Sequence, residues 1–462
     1  MNAAAALLTL TASLFPLAAA AQTTSDAVLR LTLEDALGRG LGTSHRVAEA
    51  IARSEATGAR VGQRRAAGLP QVQGQGGYTR TNHVETFGIL SPDNQLRVIY
   101  PDIPDNFRAR LDVQWPIYTG GRVEAFERMA RIEADASLDE VATARADLTL
   151  EITRAFWALV TAREALRVVE EAVRRIDAHL LDARNQLAAG LVPPSDVLRV
   201  EAQQSRQRML TIQAGASRDV AEAELARLVG APGGTSIDPA VALDLPPGDG
   251  PNAVPYPSGV GAALQGGQAA DAFAALVAGA RERRPERAAL ARRVDATGEG
   301  ERAAAAATRP TIAVAGGFDY ARPNARIFPR QGAWNTSWDA GVNVAVPIFD
   351  GGRARSEIAE AAASARAARA RLADLDAAIA VEVRQRLSEV VSSRAAIDAA
   401  TDAVRSATEA RRVIGERFAA GVAISTDVLD AQVTLLQAEL DRTQAVASAR
   451  LADARLTRAL GQ

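Results

Sequence analysis

Hydrophobic positions along this chain change their period at matching places in its two halves. Within short stretches, apolar and polar residues alternate with a period of two. In the second half Trp338, Val342 and Val344 fall on one face of such a stretch, whereas Asp339 and Asn343 fall on the other. Alternation of this kind over about ten residues predicts a β-strand that has one apolar face.

The first half contains the same pattern, since Leu111 and Val113 alternate with Arg110 and Asp112. A weaker alternating stretch precedes each strong one, so each half is predicted to contain one β-hairpin, at 71–117 and 311–348. Residues 82–106 form the longer of the two connecting loops. For a single copy, a half-buried hairpin on a soluble sheet is the alternative to a membrane hairpin.

A ten-residue alternating strand with aromatic residues toward its end is typical of a transmembrane β-strand. The second copy and a predicted export signal favour this interpretation over the soluble sheet. We therefore expect one face of these strands to contact lipid. The residues predicted to face lipid are Leu111, Val113, Trp338, Val342 and Val344.

After Gly121 and Gly352 the apolar residues follow a heptad period. In the first half Leu159, Leu166 and Val173 recur every seven residues, and a second apolar series interleaves with them by three and four. Because residues 121–188 contain no proline, one unbroken helix of roughly 100 Å is predicted there.

Each long helix is predicted to end at a glycine-bearing turn, at 189–195 and 420–426, and a second helix then runs back. The resulting helical hairpins span 121–228 and 352–460. A shorter helix, at 32–67 or near 283–308, precedes each β-hairpin and ends before a proline. Each half is thus a helix, a β-hairpin and a long helical hairpin.

The two halves are copies, at an offset of 240 residues before the loop at 82–106 and of 231 residues after it. Trp115–Arg122 reads WPIYTGGR and returns as VPIFDGGR at Val346–Arg353, and the LAAG ending at Gly190 returns as the FAAG ending at Gly421. The predicted organisation is a first repeat at 22–230, a Pro/Gly-rich linker or belt at 231–280, and a second repeat at 281–462.

The N-terminus and the composition point to export. An apolar stretch ends in Ala19–Ala21 before Gln22, which predicts a cleaved signal peptide at residues 1–21. The 462 residues include no cysteine, so neither a disulfide nor a lipid-modified cysteine is available. No later run of about 20 apolar residues could form a transmembrane helix. A membrane-embedded part would consist of strands.

Catalytic and nucleic-acid functions find little support. The formal net charge of −2 gives no electrostatic basis for binding nucleic acid. Three scattered histidines lack metal-ligand spacing, and the glycine-rich segment 230–236 lacks the lysine of a phosphate-binding loop. We expect neither enzyme activity nor a cofactor.

Together these features resemble the outer-membrane efflux protein family, the TolC-like channel-tunnels, over essentially the whole mature chain. The resemblance rests on the duplicated Pro-Ile-aromatic-x-Gly-Gly-Arg element, on AGARERRPE at 278–286, and on RFAAG at 417–421 leading to TDVLDAQ at 426–432. It implies a mixed membrane β-barrel and α-helical barrel. Four strands per protomer would complete a twelve-stranded trimeric barrel, and the long coiled-coil helical hairpins would form a periplasmic tunnel.

The resemblance also implies location and partners. The expected protein is a homotrimer in the outer-membrane lipid of a Gram-negative cell, with a long periplasmic extension. It would be the exit duct of a tripartite efflux pump or type I secretion system, opened at its periplasmic tip by a periplasmic adaptor and an inner-membrane transporter. The alternatives are a periplasmic coiled-coil adaptor or a scaffold without a barrel. An adaptor would have one central helical hairpin rather than two.

Two sets of site residues follow. The turns of the helical hairpins, represented by Gly190, Val192, Gly421 and Ala423, are expected to dock the adaptor, although both glycines could serve only as helix C-caps. In the family, aspartates matching Asp427 and Asp430 ring the closed periplasmic aperture.

Repeat symmetry separates these two acids. Asp427 matches Asp196 in the first repeat, which suits a helix-start role, whereas Asp430 matches Arg199. The asymmetry suggests that only the second hairpin turns this acid toward the pore. The resemblance therefore predicts a gate at Asp427 and Asp430, where three copies would favour cations and could trap a divalent ion.

Overall fold

The structure, a computed structural model, describes residues 28–93, 95–232, 234–241 and 269–462. The predicted signal peptide lies outside this part of the chain. The helices are α1 Leu33–Thr43, α2 His45–Ala66, α3 Arg122–Ala188, α4 Pro194–Leu228, α5 Ala269–Arg283, α6 Pro285–Ala305, α7 Arg353–Ala419 and α8 Ser425–Ala459. The strands are β1 Leu29–Leu31, β2 Gln71–Arg80, β3 Phe87–Leu90, β4 Leu96–Tyr100, β5 Asp105–Tyr118, β6 Ile237–Pro239, β7 Thr311–Arg322 and β8 Asn335–Ala345.

The long strands of both halves form one antiparallel sheet in the order β2-β5-β7-β8. Strand β5 of the first half pairs with β7 of the second, with Arg110 opposite Asp319 and Leu111 opposite Phe318. Phe318 in turn lies opposite Trp338 of β8. Strands β2 and β8 each have a neighbour on one side only.

The two helical hairpins are equal in length. Helices α3 and α7 each contain 67 residues, and α4 and α8 each contain 35. Gly121 and Gly352 precede the long helices with φ of 90° and 89°, a left-handed conformation that glycine adopts without steric cost. The duplication is therefore kept in backbone conformation as well as in length.

The two halves pack through α3 of the first half, which contacts both α6 and α8 of the second, and through the pairing of β5 with β7. The ion pair from Arg175 to Glu439 joins them at 2.7 Å, with both side chains largely buried. The largest apolar cluster surrounds Phe156, Leu159 and Leu225 and includes Ile237 of β6. A second cluster packs α5 against α7 and α8.

One of the two predicted short helices differs from the sequence expectation. Instead of one helix at 32–67, α1 and α2 are separated at Ser44, whose hydroxyl accepts a hydrogen bond from the Val47 amide. The helix predicted near 283–308 is present as α6. It begins after Arg284, which is extended because proline disfavours helical backbone in the preceding residue.

The range 231–280, predicted as a linker or belt, contains regular structure where it is described. Strand β6 pairs in parallel with β1, and α5 begins at Ala269, before the predicted start of the second repeat. The 82–106 loop holds the additional β3–β4 hairpin. Within the described ranges, no helix is long and apolar enough to cross a membrane.

Candidate functional site

One face of the four-stranded sheet is apolar and uncovered. All five residues predicted to face lipid lie on this face. Within each strand they are an even number of residues apart, and the register places the residues of β5 and β8 on the same side of the sheet. Trp338 is 73% exposed and Val342 68%. A continuous apolar surface of this kind is stabilised by contact with a nonpolar environment. Contact with lipid itself stays a prediction.

Aromatic side chains form a belt at one end of this face. The ring centroids of Tyr78 and Phe107 lie 4.9 Å apart, and those of Phe107 and Trp334 lie 5.8 Å apart. Tyr320 stacks on Trp334 at 4.7 Å. Aromatic belts of this type lie at the membrane–water interface of membrane proteins.

The opposite face carries a network of charges across three strands. Asp319 of β7 accepts hydrogen bonds from the guanidinium groups of Arg108 and Arg110 of β5, the Arg108 Nε at 2.6 Å. Arg110 also bonds Asp112 at 2.6 Å and Asp339 of β8 at 3.3 Å. The alternation placed the β5 charges on a polar face, but their partners could be found only from the register between the two halves.

At the free ends of the helical hairpins, Gly190 and Gly421 both cap the preceding helix. Each has a φ of 73°, and the residue after each donates a backbone hydrogen bond of 2.8 Å to a carbonyl in the last helical turn. Capping is thus part of their role.

The tips are also apolar. Leu191 and Val422, which occupy matching positions in the repeat, are 74% and 67% exposed. The neighbouring Val192 and Ala423 are half-buried. Exposed apolar residues on two matching turns are a suitable docking surface for another protein.

The predicted gate residues lie at the start of α8, where both carboxylates are exposed. The Asp427 carboxylate accepts a hydrogen bond from the Ile424 amide at 3.3 Å, so this residue has the helix-start role that repeat symmetry suggested. Asp430, one turn later, has no such local role. Its repeat counterpart Arg199 donates to the Thr426 hydroxyl at 3.2 Å and so links α4 to α8.

Sequence reasoning did not identify His179, which lies buried beside the start of α8. The imidazole is buried between α3 and the tip of the second hairpin, with Nε2 3.1 Å from the Ser425 Oγ and its ring 5.2 Å from the ring of Phe418. Burial lowers the pKa of His179, against the opposing effect of Asp182, so the imidazole is neutral at pH 7. Only its position in an apolar heptad helix could have suggested burial.

In the part of the chain that the structure describes, no three His, Asp or Glu side chains of one protomer converge as metal ligands would. Any cation site at Asp430 would need copies of this residue from several protomers.

The profile of the outer membrane efflux proteins matches residues 36–231 and 276–462. The chain belongs to the outer membrane efflux protein family. Its relatives include Protein CyaE of Bordetella pertussis, which is 25% identical over 411 residues covering 88% of this chain and 79% of that protein. This confirms the family that the duplicated motifs indicated.

Solved structures of outer-membrane channels share the fold of this efflux-family chain. A membrane protein from Pseudomonas aeruginosa is 21% identical, with a TM-score of 0.74 over 93% of this chain and 92% of that one. The Campylobacter jejuni CmeC outer membrane channel is 17% identical, with a TM-score of 0.75 over 93% and 85%. The predicted combination of barrel strands with long helical hairpins is confirmed, and the proteins that share it include outer-membrane channels.

Proposed function

We propose that this efflux-family protein is a homotrimeric exit duct in the outer membrane of a Gram-negative cell. The observation that carries the proposal is the four-stranded sheet, which has one apolar face, one charged face and two open edges. A sheet with open edges cannot remain in lipid, because each unpaired backbone group costs several kcal/mol.

Closure by three copies resolves this problem. The edge strands β2 and β8 contain 10 and 11 residues, so they match in length, and β8 of one protomer can pair with β2 of the next. Three protomers would give a twelve-stranded barrel with lipid outside and the network of Arg110 and Asp319 in the lumen. The smallest known membrane barrels contain about eight strands.

The helices support the same assembly. Within the protomer, α3 and α8 pack together, which leaves α4 and α7 on the flanks. Both flanks expose apolar side chains: Ile212 and Val220 of α4 are 74% and 71% exposed, and Val381 of α7 is 69% exposed. In a trimer α4 would pack against α7 of the next protomer, so that twelve helices enclose a tunnel about 100 Å long.

The tunnel would extend into the periplasm and end at the two apolar tips. There a periplasmic adaptor and an inner-membrane transporter would dock and open it, as part of a tripartite efflux pump or a type I secretion system. In this function the chain is a passive channel, requires no cofactor, and contributes walls and a gate rather than catalysis.

A periplasmic adaptor or coiled-coil scaffold is the rival. It would use the helical hairpins, but it would have no reason to expose the apolar face around Trp338 and Val342. The sheet therefore distinguishes the two functions.

Membrane fractionation and semi-native electrophoresis test the proposal. The mature protein should be found in the outer-membrane fraction. In mild detergent it should migrate as a trimer when unheated and as a monomer after boiling. A stable monomer in the soluble periplasmic fraction would exclude the duct and favour the adaptor or scaffold.

A further inference from the structure

The segment that follows β7 folds back over the charged face of the sheet. Pro323 and Asn324 are buried there, Asn324 to 2% exposure, although they belong to a connection between strands. Ala321, the last β7 residue on this face, is also buried. A connection that simply projected into solvent would leave these positions open.

Asn324 anchors the beginning of this segment. Its side-chain amide donates to the Asn335 carbonyl and to the Ser337 hydroxyl oxygen, each at 3.0 Å. Ser337 lies opposite Asp319 and therefore belongs to the charged face. Because Asn324 makes two good hydrogen bonds and is almost fully buried, it holds the start of the segment in place; we call it the root of the segment.

Arg326 forms a second, weaker attachment. Its guanidinium pairs with Asp339 at 2.9 Å and donates to the Trp338 carbonyl at 2.7 Å. The Arg326 and Asp339 side chains are 50% and 34% exposed, and ion pairs of this exposure are easily broken. The Asp339 carboxylate also accepts a hydrogen bond from Arg110, so this attachment is connected to the charge network on the polar face of the sheet.

The far end of the segment reaches the loop of the first half. The Arg330 guanidinium lies 4.9 Å from the ring centroid of Tyr100 and donates to its hydroxyl at 2.6 Å. Between the segment and the wall is a cavity of about 510 Å³, whose lining includes Gln75 and Arg108. The segment thus covers an open cavity above the charged face of the sheet and does not fill that cavity.

We propose that residues 323–330 form a lid at the outer mouth of the barrel, with Asn324 as its root and the Arg326–Asp339 ion pair as its releasable catch. The proposal rests on the proposed function, because the charged face is the lumen wall only in the closed barrel. Three lids would make a second constriction, at the end of the protein opposite the Asp430 gate. Opening breaks the catch and leaves the root in place.

The chain contains no cysteine, so a single introduced thiol can report on the lid. Gln75→Cys, in the cavity wall, is labelled from outside intact cells with maleimides of increasing size. With the catch intact, only small reagents should react. Arg326→Ala and Asp339→Asn should each allow larger reagents to react, and Arg326→Lys should restore most of the exclusion.

Matched controls separate the possible failures. Arg97→Ala alters an arginine of the adjacent β3–β4 hairpin outside this network and should leave the size limit unchanged. Arg97→Cys tests whether this end of the sheet faces the exterior; if no reagent reaches it in cells with assembled trimers, the proposed function itself fails. If Arg97→Cys is labelled but the size limit at Gln75→Cys is the same with and without the catch, the lid is excluded.

Discussion

The His179 Nε2 lies 3.1 Å from the Ser425 Oγ, although 246 residues separate them in the sequence. This contact joins the long helix of the first hairpin to the first residue of α8, the helix that carries Asp427 and Asp430. Because the imidazole is buried, it fits this position when it is neutral. The contact between α3 and the tip of the second hairpin is therefore coupled to a titratable group.

We predict that the closed tip is stabilised above about pH 6.5 and loses stability as the pH falls. Burial lowers the pKa of His179 below its ordinary value of 6.5. We expect opening of the tip to expose the imidazole, so the opened tip would bind a proton first. Stabilisation is fully present above 6.5 and is lost progressively as the pH falls toward the lowered value. Single-channel recordings between pH 7.5 and 5 should show more frequent opening at the acidic end.

His179→Gln keeps a polar side chain at this position but removes the titration, so it should abolish the pH dependence in this range. His45→Gln, at an exposed histidine far along the chain from the tip, is the matched control and should retain it. An unchanged pH profile in the His179→Gln channel would show that another group controls the opening.

The facing of the strands predicts unequal effects from the same substitution at adjacent positions. Val344 lies on the apolar face and Asn343 on the charged face of β8. Val344→Arg should destabilise the barrel more than Asn343→Arg, although by less than the roughly 2–4 kcal/mol expected at the bilayer midplane, because Val344 lies near the end of β8. Denaturant unfolding of trimers in lipid vesicles measures both. Equal destabilisation would show that the two faces have been assigned incorrectly.

The exposed tips predict the place of adaptor docking. Val192→Cys and Ala423→Cys, introduced singly, should form crosslinks to the periplasmic adaptor in intact cells. Arg30→Cys, on β1 beside the inter-repeat strand, is the control, since its side chain is 76% exposed and hence at least as accessible to a crosslinker as the two tip positions. Crosslinking at Arg30→Cys alone would place docking at the belt instead.

The repeat made much of this fold predictable. The bounds of the long helices, the turn glycines and the two strand faces depend on the local spacing of apolar residues and on backbone conformation. Each repeat gives independent evidence for both. Gly190 and Gly421 illustrate this, because the same sequence position predicts the same left-handed cap.

Features that depend on contacts between distant segments could not be predicted in the same way. The β1–β6 pair joins residues of two short, weakly patterned segments, and the β3–β4 hairpin lies in a loop without a repeat counterpart. His179 is one of three scattered histidines in the sequence, and only the packing of α3 against α8 places it beside Ser425. At the predicted gate, the acids could be identified from the sequence, whereas their different local hydrogen bonding is seen only in the structure.

That separation decides how the gate should be tested. Asp427→Ala removes a helix-start hydrogen bond as well as a charge, so its effects on the channel and on the fold would be mixed. Asp430→Ala removes an exposed carboxylate without that hydrogen bond, and in a trimer it would remove three charges around one aperture. We expect reduced cation selectivity and reduced block by divalent ions in single-channel recordings.

Asp196→Ala, which removes the first-repeat acid paired with Arg199 at 3.8 Å, should leave both properties unchanged. Cation selectivity that persists in the Asp427→Ala/Asp430→Ala channel would mean that these acids do not line the aperture, because no pore ring of three or six carboxylates could be lost without reducing its attraction for cations.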